Sequence, residues 1–132
     1  MRVFLDANIL FSAALPDSRM RAFLDILMDR AKCLTNEYAI EEARRNLVAK
    51  FPETLKALER LAKKCEVVLQ LETDLKVEMP LKDAPILGGA IAGHATHLLT
   101  GDERDFGKFW GQTIQGVKIV SPRMLAEELR LS

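Results

Sequence analysis

The stretch VFLDANILFSA, residues 3–13, is a nearly continuous apolar run with an aspartate and an asparagine in its middle. Val3, Phe4 and Leu5 predict a short buried strand of the kind that parallel sheets contain. Asp6 stands where that strand would end. A carboxylate in this position either caps the turn that follows or takes part in a functional site.

Beyond this stretch, strand-like runs alternate with amphipathic helix-like runs, which predicts an α/β fold with a mainly parallel sheet. The 132 residues contain no linker, repeat or low-complexity stretch, so we expect a single domain over residues 1–132. Five strands are predicted: VFL (3–5), KCLT (32–35), EVVLQL (66–71), HLLT (97–100) and VKIV (117–120).

Capping residues and prolines predict where the helices begin. The predicted first or capping residues are Ser18, for a helix to about Arg30, Asn36, Pro52, for a helix to about Lys64, Asp83 with Pro85, and Ser121 with Pro122. In the helix after Asn36, four side chains are predicted to face the core: Tyr38, Ala39, Ala43 and Leu47. Gly88 and Gly89 each weaken a helix by about 1 kcal/mol relative to alanine, so we expect close packing on the sheet there.

Composition and charge restrict the classes of partner. Lys and Arg total 19 and Asp and Glu total 19, so the formal net charge is zero and any contact with a nucleic acid must be local. Cys33 and Cys65 match no metal-ligand spacing and are interpreted as core thiols in a reducing cytoplasm. No apolar run is long enough to cross a membrane, so no membrane partner is predicted.

Four acids fall where a parallel α/β sheet builds its sites. Asp6 and Asp102 follow the first and fourth strands, Asp83 begins a helix, and Glu42 lies in the early turns of another. Sites form beyond the carboxyl ends of parallel strands, so these acids can converge there. Clustered carboxylates need a counter-charge, and an all-oxygen site favours Mg²⁺ or Mn²⁺. Taken singly, each acid is equally well explained as a cap or a solvated surface charge.

The combination resembles the PIN domains, and among them the toxin-like bacterial nucleases of VapC type. The resemblance rests on VFLDANILFSA, TNEYAIEEARRNL, KDAPILGGAIAGHATHLLTGDERDF and VKIVSP, which cover almost the whole chain in the family's order. It implies a three-layer α/β/α sandwich with about five strands. It also implies a ribonuclease that hydrolyses phosphodiester bonds of single-stranded or structured RNA with Mg²⁺ or Mn²⁺.

The resemblance assigns roles residue by residue. It gives metal binding and catalysis to four acids: Asp6, Glu42, Asp83 and Asp102. It gives supporting roles to Asn8, Thr100 and Asp105, although the motif around Asp105, GDERDF, is longer than the commoner GDxDF. Glu42 is preferred over the adjacent Glu41 because it precedes an apolar pattern. Nearby cations are the candidates for phosphate binding: Arg44, Arg45, Lys82, Arg104 and Lys108.

Two other functions stay open. The first is a phosphatase of the haloacid-dehalogenase type, which also places an aspartate after an apolar strand but has a second aspartate where this chain has Asn8. The second is a non-catalytic RNA-binding module of PIN type. The predicted partners are RNA and, for a toxin, an antitoxin protein, and the chain is predicted to form a homodimer. Five further residues are interpreted as surface, capping or packing groups: His94, His97, Phe106, Phe109 and Trp110.

Overall fold

The computed structural model describes residues 1–131, which form an α/β fold around one sheet. The strands are β1 (Arg2–Leu5), β2 (Lys32–Thr35), β3 (Glu66–Val67), β4 (His97–Leu99), β5 (Thr113–Ile114) and β6 (Val117–Val120). The helices are α1 (Ala7–Ala14), α2 (Arg19–Arg30), α3 (Glu37–Lys50), α4 (Leu55–Lys63), α5 (Ala84–Ala92), α6 (Glu103–Phe106) and α7 (Pro122–Glu128), with 3-10 turns at Pro52–Thr54 and Gly107–Phe109.

The sheet has the strand order β3-β2-β1-β4-β6-β5, and every neighbouring pair is parallel except β5 with β6. Helices cover the sheet, as the predicted α/β/α arrangement requires. β1 lies in the middle between β2 and β4, and its Val3, Phe4 and Leu5 are fully buried. Because β1 and β4 are parallel neighbours, the residues that follow them lie at the same edge of the sheet.

The opening apolar run contains a helix that the sequence analysis did not predict. Immediately after Asp6, the chain forms α1, of which Ala7, Ile9, Leu10, Ala13 and Ala14 are buried. A helix enclosed on most sides has no polar stripe, so its sequence lacks the amphipathic period that predicts surface helices. The short turn between β1 and α1 fixes Asp6 at the edge of the sheet.

The predicted caps are confirmed at three helices. The side chains of Ser18, Asn36 and Ser121 accept hydrogen bonds from the first-turn N–H groups of α2, α3 and α7. Along α3, three of the four predicted core residues are buried, but Tyr38 is 37% exposed and its prediction was wrong. One residue before the buried Ala39, it lies off the stripe that faces the sheet.

Two strand predictions need correction. β3 covers only residues 66–67 instead of 66–71, and Leu69, further along, is 82% exposed. A sixth strand, β5, pairs antiparallel with β6 through a tight turn in which Gln115 and Gly116 have φ of 49° and 90°. Two residues cannot show an alternating pattern, so β5 could not be recognised from periodicity. Pro52 begins a 3-10 turn, and α4 follows it to Lys63.

The two glycines of α5 let this helix approach its neighbours closely, as predicted against the sheet for Gly89, whereas Gly88 packs against the loop backbone at Glu72 instead of the sheet. A Cβ on Gly88 would lie 2.5 Å from the carbonyl oxygen of Glu72, whose N–H donates to the Gly88 carbonyl at 3.0 Å. A Cβ on Gly89 would overlap the side chain of Asn36 and press on the ring of Phe4. This close packing sets the position of α5, and with it the position of Asp83 at its start.

The two cysteines behave as packing thiols. Cys33 is buried and Cys65 is half-buried, and both are free. Burial raises the pKa of Cys33 to about 12 and that of Cys65 to about 11, so both thiols stay protonated at neutral pH. Among residues 1–131, no helix combines the length and the apolar character needed to cross a membrane.

Candidate active site

Asp6 is the buried centre of a hydrogen-bond network at the carboxyl ends of β1 and β4. Its side chain is 3% exposed, and its Oδ1 accepts the Ala7 N–H at 2.6 Å. Its Oδ2 accepts from the Thr100 hydroxyl at 2.8 Å and from the Asn8 amide at 3.2 Å. Asp6 therefore caps α1 with one oxygen and holds the other in a fixed direction.

Asn8 and Thr100 connect this carboxylate to the loop after β4. The Asn8 Oδ1 accepts the Gly101 N–H at 2.8 Å, and the Thr100 Oγ1 accepts the Asp102 N–H at 3.0 Å. Thr100 is fully buried. These contacts make the orientation of Asp6 and the path of the backbone to Asp102 depend on each other, which is how supporting groups orient ligands at metal sites.

Three acids come together at the same edge. Each of Asp83, Asp102 and Asp105 offers a carboxylate oxygen, and the three oxygens lie within 4.8 Å of one another. Asp102 caps α6, because its Oδ1 accepts the Asp105 N–H at 3.0 Å. Asp83 is the residue immediately before α5 but makes no side-chain cap, and its buried Oδ2 accepts no hydrogen bond. A buried oxygen without a partner costs free energy unless a cation or donor satisfies it.

The electrostatics reflect this crowding of carboxylates. Burial raises the pKa of Asp6 to about 6, although the hydrogen bonds from Thr100 and Ala7 oppose the rise, and Glu42 and Asp102 add to it. Burial, together with the neighbouring Asp105, also raises the pKa of Asp83 well above its usual range. Negative charge is therefore held at this edge at a cost in free energy, as expected where a cation binds.

Glu42 lies beside this cluster rather than in it. Together with Asn8, it lines a groove between α1 and α3, close enough to Asp6 to affect the pKa of that carboxyl. The adjacent Glu41 instead pairs with Arg44 at the exposed surface of α3. The structure thus places Glu42, and not Glu41, on the side of the helix that faces the acids.

The five candidate phosphate-binding cations occupy different surroundings. Lys82 lies 3.0 Å from the Asp105 carboxylate and lowers the pKa of that carboxyl. Arg44 lines a separate hollow between α3 and α4 that contains none of the acids of the site. The Lys108 ammonium lies over the Phe109 ring, 5.0 Å from its centre. Arg45 and Arg104 are exposed. Lys82 is thus the candidate cation that directly contacts the acid cluster.

Two features of the site were underestimated or missed in the sequence. Asp105 was predicted to have only a supporting role, yet one turn of α6 brings its carboxylate to those of Asp83 and Asp102. Asn46 and Lys50 line the groove that contains Glu42 and were not singled out. The signal for them was their spacing of four and eight residues from Glu42, which places all three on one face of α3.

The donor atoms fit a hard divalent cation. The cluster offers carboxylate oxygens and no thiolate or imidazole, the ligand set that Mg²⁺ and Mn²⁺ prefer. The Asp83 Oδ2 without a partner gives a cation a specific oxygen to satisfy. His97 lies elsewhere, buried at the start of β4, where its Nε2 contacts Glu128 at 2.9 Å.

Comparisons with known proteins identify the family and the fold. The PIN domain model matches residues 2–104. The fold is similar to that of a chain in the crystal structure of VapBC2 from Rickettsia felis bound to a DNA fragment from their promoter. That match has a TM-score of 0.65 and 18% sequence identity, and it covers 92% of this chain and 98% of the other. No curated protein matches the sequence significantly.

Proposed function

The chain belongs to the PIN domain family, and from this premise we propose that it is a divalent-metal-dependent endoribonuclease that hydrolyses phosphodiester bonds of RNA. The observation that carries the proposal is the convergence of Asp83, Asp102 and Asp105 with an unsatisfied buried oxygen on Asp83. Folding alone would favour pairing or exposing these carboxylates, so their arrangement supports a role in binding a cation.

In this proposal, some residues bind the metal and others orient a carboxylate. Asp83, Asp102 and Asp105 would hold Mg²⁺ or Mn²⁺, with Asp6 and Glu42 beside them. When bound, the metal supplies Lewis-acid polarisation of a phosphate oxygen and lowers the pKa of a water. Thr100 and Asn8 keep the Asp6 carboxylate in one orientation through their hydrogen bonds to its Oδ2. The proposal therefore gives Thr100 and Asn8 a positioning role.

The partners follow from the same proposal. The substrate would be single-stranded or structured RNA, bound through local cations because the net charge of the chain is zero. Lys82 already contacts the acid cluster and would meet a phosphate there. Because the similar structure is that of VapBC2, the proposal includes a toxin role with an antitoxin partner. It also keeps the homodimer and the cytoplasmic location expected from the sequence.

The phosphatase alternative has no support in the contacts of Asn8. That mechanism needs a general acid two residues after the first aspartate. Here the position carries an amide whose nitrogen donates to Asp6 and whose oxygen accepts from Gly101. An amide held in this way has no proton of suitable pKa to give to a leaving group. The non-catalytic alternative predicts RNA binding without cleavage.

The test is cleavage of a panel of labelled RNAs, single-stranded and structured, by the purified protein with Mg²⁺, Mn²⁺ or EDTA. Asp6→Asn and Asp102→Asn variants remove one acid each, and Asp29→Asn, at an exposed position on α2, is the matched control. The same proteins are assayed on single-stranded DNA and on a generic phosphomonoester.

We expect metal-dependent RNA cleavage that is lost in Asp6→Asn and Asp102→Asn and retained in Asp29→Asn. Turnover of the phosphomonoester without RNA cleavage would favour the phosphatase. RNA binding without cleavage of any RNA in the panel would favour the binding module. Cleavage that persists in EDTA and in both acid variants would contradict the proposed site.

A further inference from the structure

A groove leads away from the acid cluster along α3. It has a volume of about 270 Å³ and is lined by residues of α1 and α3: Asn8, Phe11, Glu42, Asn46 and Lys50. Its inner end is formed by Asn8, which hydrogen-bonds to Asp6, and by Glu42. The groove is therefore continuous with the candidate active site.

The α3 wall of the groove changes its charge in a regular way. Glu42, Asn46 and Lys50 follow one another at intervals of four residues and so lie along one face of the helix. From Glu42 to Lys50 the helix rises by roughly 12 Å. A carboxylate near the metal-binding acids is thus followed by a neutral amide and then by an ammonium group.

The opposite wall is aromatic. Phe11 of α1 is only partly buried, and its ring centre lies 6.2 Å from that of Phe51 at an angle of 56°. Phe51, at the end of α3, is 38% exposed. The Lys50 ammonium lies 6.0 Å from the centre of the Phe11 ring. A partly exposed ring with a cation over it offers a flat face for stacking once the flexible cation moves, and a charge for a phosphate.

We propose that this groove is a subsite for one nucleotide of single-stranded RNA, adjacent to the phosphate that the acid cluster cleaves. The base stacks on the ring of Phe11, and Lys50, which lies over that ring in the free protein, moves aside to pair with the flanking phosphate. The Asn46 amide can donate and accept hydrogen bonds at the base edge or the ribose. The inference rests on the proposed ribonuclease function and deepens it.

The occupant follows from the order of the groups. A phosphate is repelled by Glu42 unless a metal is present, so a nucleotide needs its flanking phosphate at the far end, where Lys50 stands. Another groove, between α2 and α7, also has an aromatic residue, Phe23, and two arginines. None of its lining residues is an acid of the site or hydrogen-bonds to one, so it lacks the continuity with a cleavage site.

The test measures RNA binding in EDTA, so that it does not depend on cleavage. The probes are a fluorescein-labelled 12-mer of adenylate and a labelled 12-mer of abasic ribose phosphate. The variants are Phe11→Leu, Phe11→Tyr and Lys50→Ala. The matched controls are Phe23→Leu, a partly buried phenylalanine on α2, and Lys56→Ala, an exposed lysine on α4. Thermal melting of each variant identifies any that fails to fold.

We expect Phe11→Leu to weaken binding of the adenylate 12-mer by about fivefold or more, with little change for the abasic 12-mer, because only a base can stack. Phe11→Tyr should restore the affinity. Lys50→Ala should weaken binding of both probes and reduce the slope of log K against log salt by about 0.7, the share of one phosphate contact on a single strand. The control variants should bind like the unchanged protein.

The outcomes separate this subsite from the proposed function. Equal losses in Phe11→Leu and Phe23→Leu, or in Lys50→Ala and Lys56→Ala, would overturn the subsite even if RNA is cleaved. The absence of any RNA binding by the unchanged protein, both in EDTA and with Mn²⁺, would also overturn it. Selective losses in Phe11→Leu and Lys50→Ala in a protein that cleaves no RNA would support the subsite and count against the nuclease.

Discussion

The edge of the sheet where the parallel strands begin and the edge where they end differ in the partners of their carboxylates. At the edge where the strands begin, Glu66 pairs with Arg2 at 2.7 Å, and Glu128 contacts His97 at 2.9 Å and Lys118 at 3.4 Å. The pKa of Glu66 is lowered by its hydrogen bond from Arg2. That of Glu128 is lowered by His97 and Lys118, although partial burial acts in the opposite direction.

At the edge where the strands end, carboxylates face one another. Asp83, Asp102 and Asp105 converge, Lys82 contacts only Asp105 among them, and the pKa values of Asp6 and Asp83 are raised. The acids at the first edge, Glu66 and Glu128, show that carboxylates of this chain are paired with basic side chains where they serve stability. An edge left with uncompensated acids is therefore best explained by a ligand that compensates them, which makes the contrast testable.

The largest expected effect is on RNA cleavage. Asp83→Asn should lower kcat/KM by more than about 100-fold, because even partners behind a metal ligand are worth 10- to 100-fold. Asp105→Asn should lower it by at least about 10-fold. Glu128→Gln changes an acid at the opposite edge and should leave cleavage within about twofold. Initial rates on a labelled RNA, at saturating Mg²⁺ or Mn²⁺, measure all three.

An equal loss of cleavage in Glu128→Gln would contradict the assignment of different roles to the two edges. Retained activity in Asp83→Asn would remove the acid with the unsatisfied oxygen from the site. Circular dichroism of each variant distinguishes a loss of chemistry from a loss of fold.

A second effect concerns metal binding and its pH dependence. At a metal concentration 100-fold above Kd, binding to the folded state alone adds about 2.7 kcal/mol to the free energy of unfolding. Because the pKa of Asp6 is about 6 and that of Asp83 is also raised, a metal must displace protons at pH 5 but few at pH 8. Thermal melting with Mn²⁺ should therefore give a larger increase in Tm at pH 8.

The control is Asp6→Asn, in which part of this pH dependence should disappear. The same increase in Tm at pH 5 and pH 8 would show that metal binding is independent of these carboxyls. No increase at either pH would contradict the cation site itself.

A third effect has the opposite sign to a usual core mutation. In EDTA, the charged form of Asp6 is unfavourable in the fold, because its pKa there is about 6 against an ordinary value near 4. The penalty is absent below pH 4, grows between pH 4 and 6, and is complete above. Asp6→Asn should therefore raise the free energy of unfolding by about 2 kcal/mol at pH 8 and change it little at pH 4.

Urea unfolding of both proteins at the two pH values measures this difference. A variant that is less stable than the unchanged protein at pH 8 would mean that the hydrogen bonds to Asp6 outweigh the cost of burying its charge. Together with the loss of cleavage in the same variant, a gain in stability would show that this edge is built for function at the expense of stability.

Much of the fold could be predicted because several residues specify structure locally. Ser18, Asn36 and Ser121 each cap a helix through their own side chain. The run 3–5 is apolar at every position, which in a chain of alternating elements indicates a buried strand of a parallel sheet. Local signals of this kind do not depend on the rest of the molecule, and they can therefore be recognised from the sequence alone.

What could not be predicted depends on tertiary contacts. The helix α1 is buried on most sides and shows no amphipathic period, and β5 has two residues that pair only because the Gln115–Gly116 turn returns the chain. The position of Asp105 in the acid cluster depends on one turn of α6 after Asp102, where the sequence shows only an unusual spacing. By contrast, the convergence of Asp6 and Asp102 could be predicted from the sequence, because parallel neighbouring strands end at the same edge of the sheet.

The smallest expected effect tests the paired edge and should have the opposite sign to Asp6→Asn. Glu128 is about one-third exposed, so its contacts with His97 and Lys118 are screened by solvent and are worth about 0.5–1 kcal/mol. Its pKa lies below the ordinary 4.5, so this stabilisation is complete above pH 4.5 and is lost as the pH falls below it. Glu128→Gln should therefore lower the free energy of unfolding at pH 7 and converge with the unchanged protein at pH 3, as urea unfolding can measure. If Glu128→Gln and Asp6→Asn destabilised the protein equally, the two edges would differ in the arrangement of their acids but not in what those acids contribute to the free energy of unfolding.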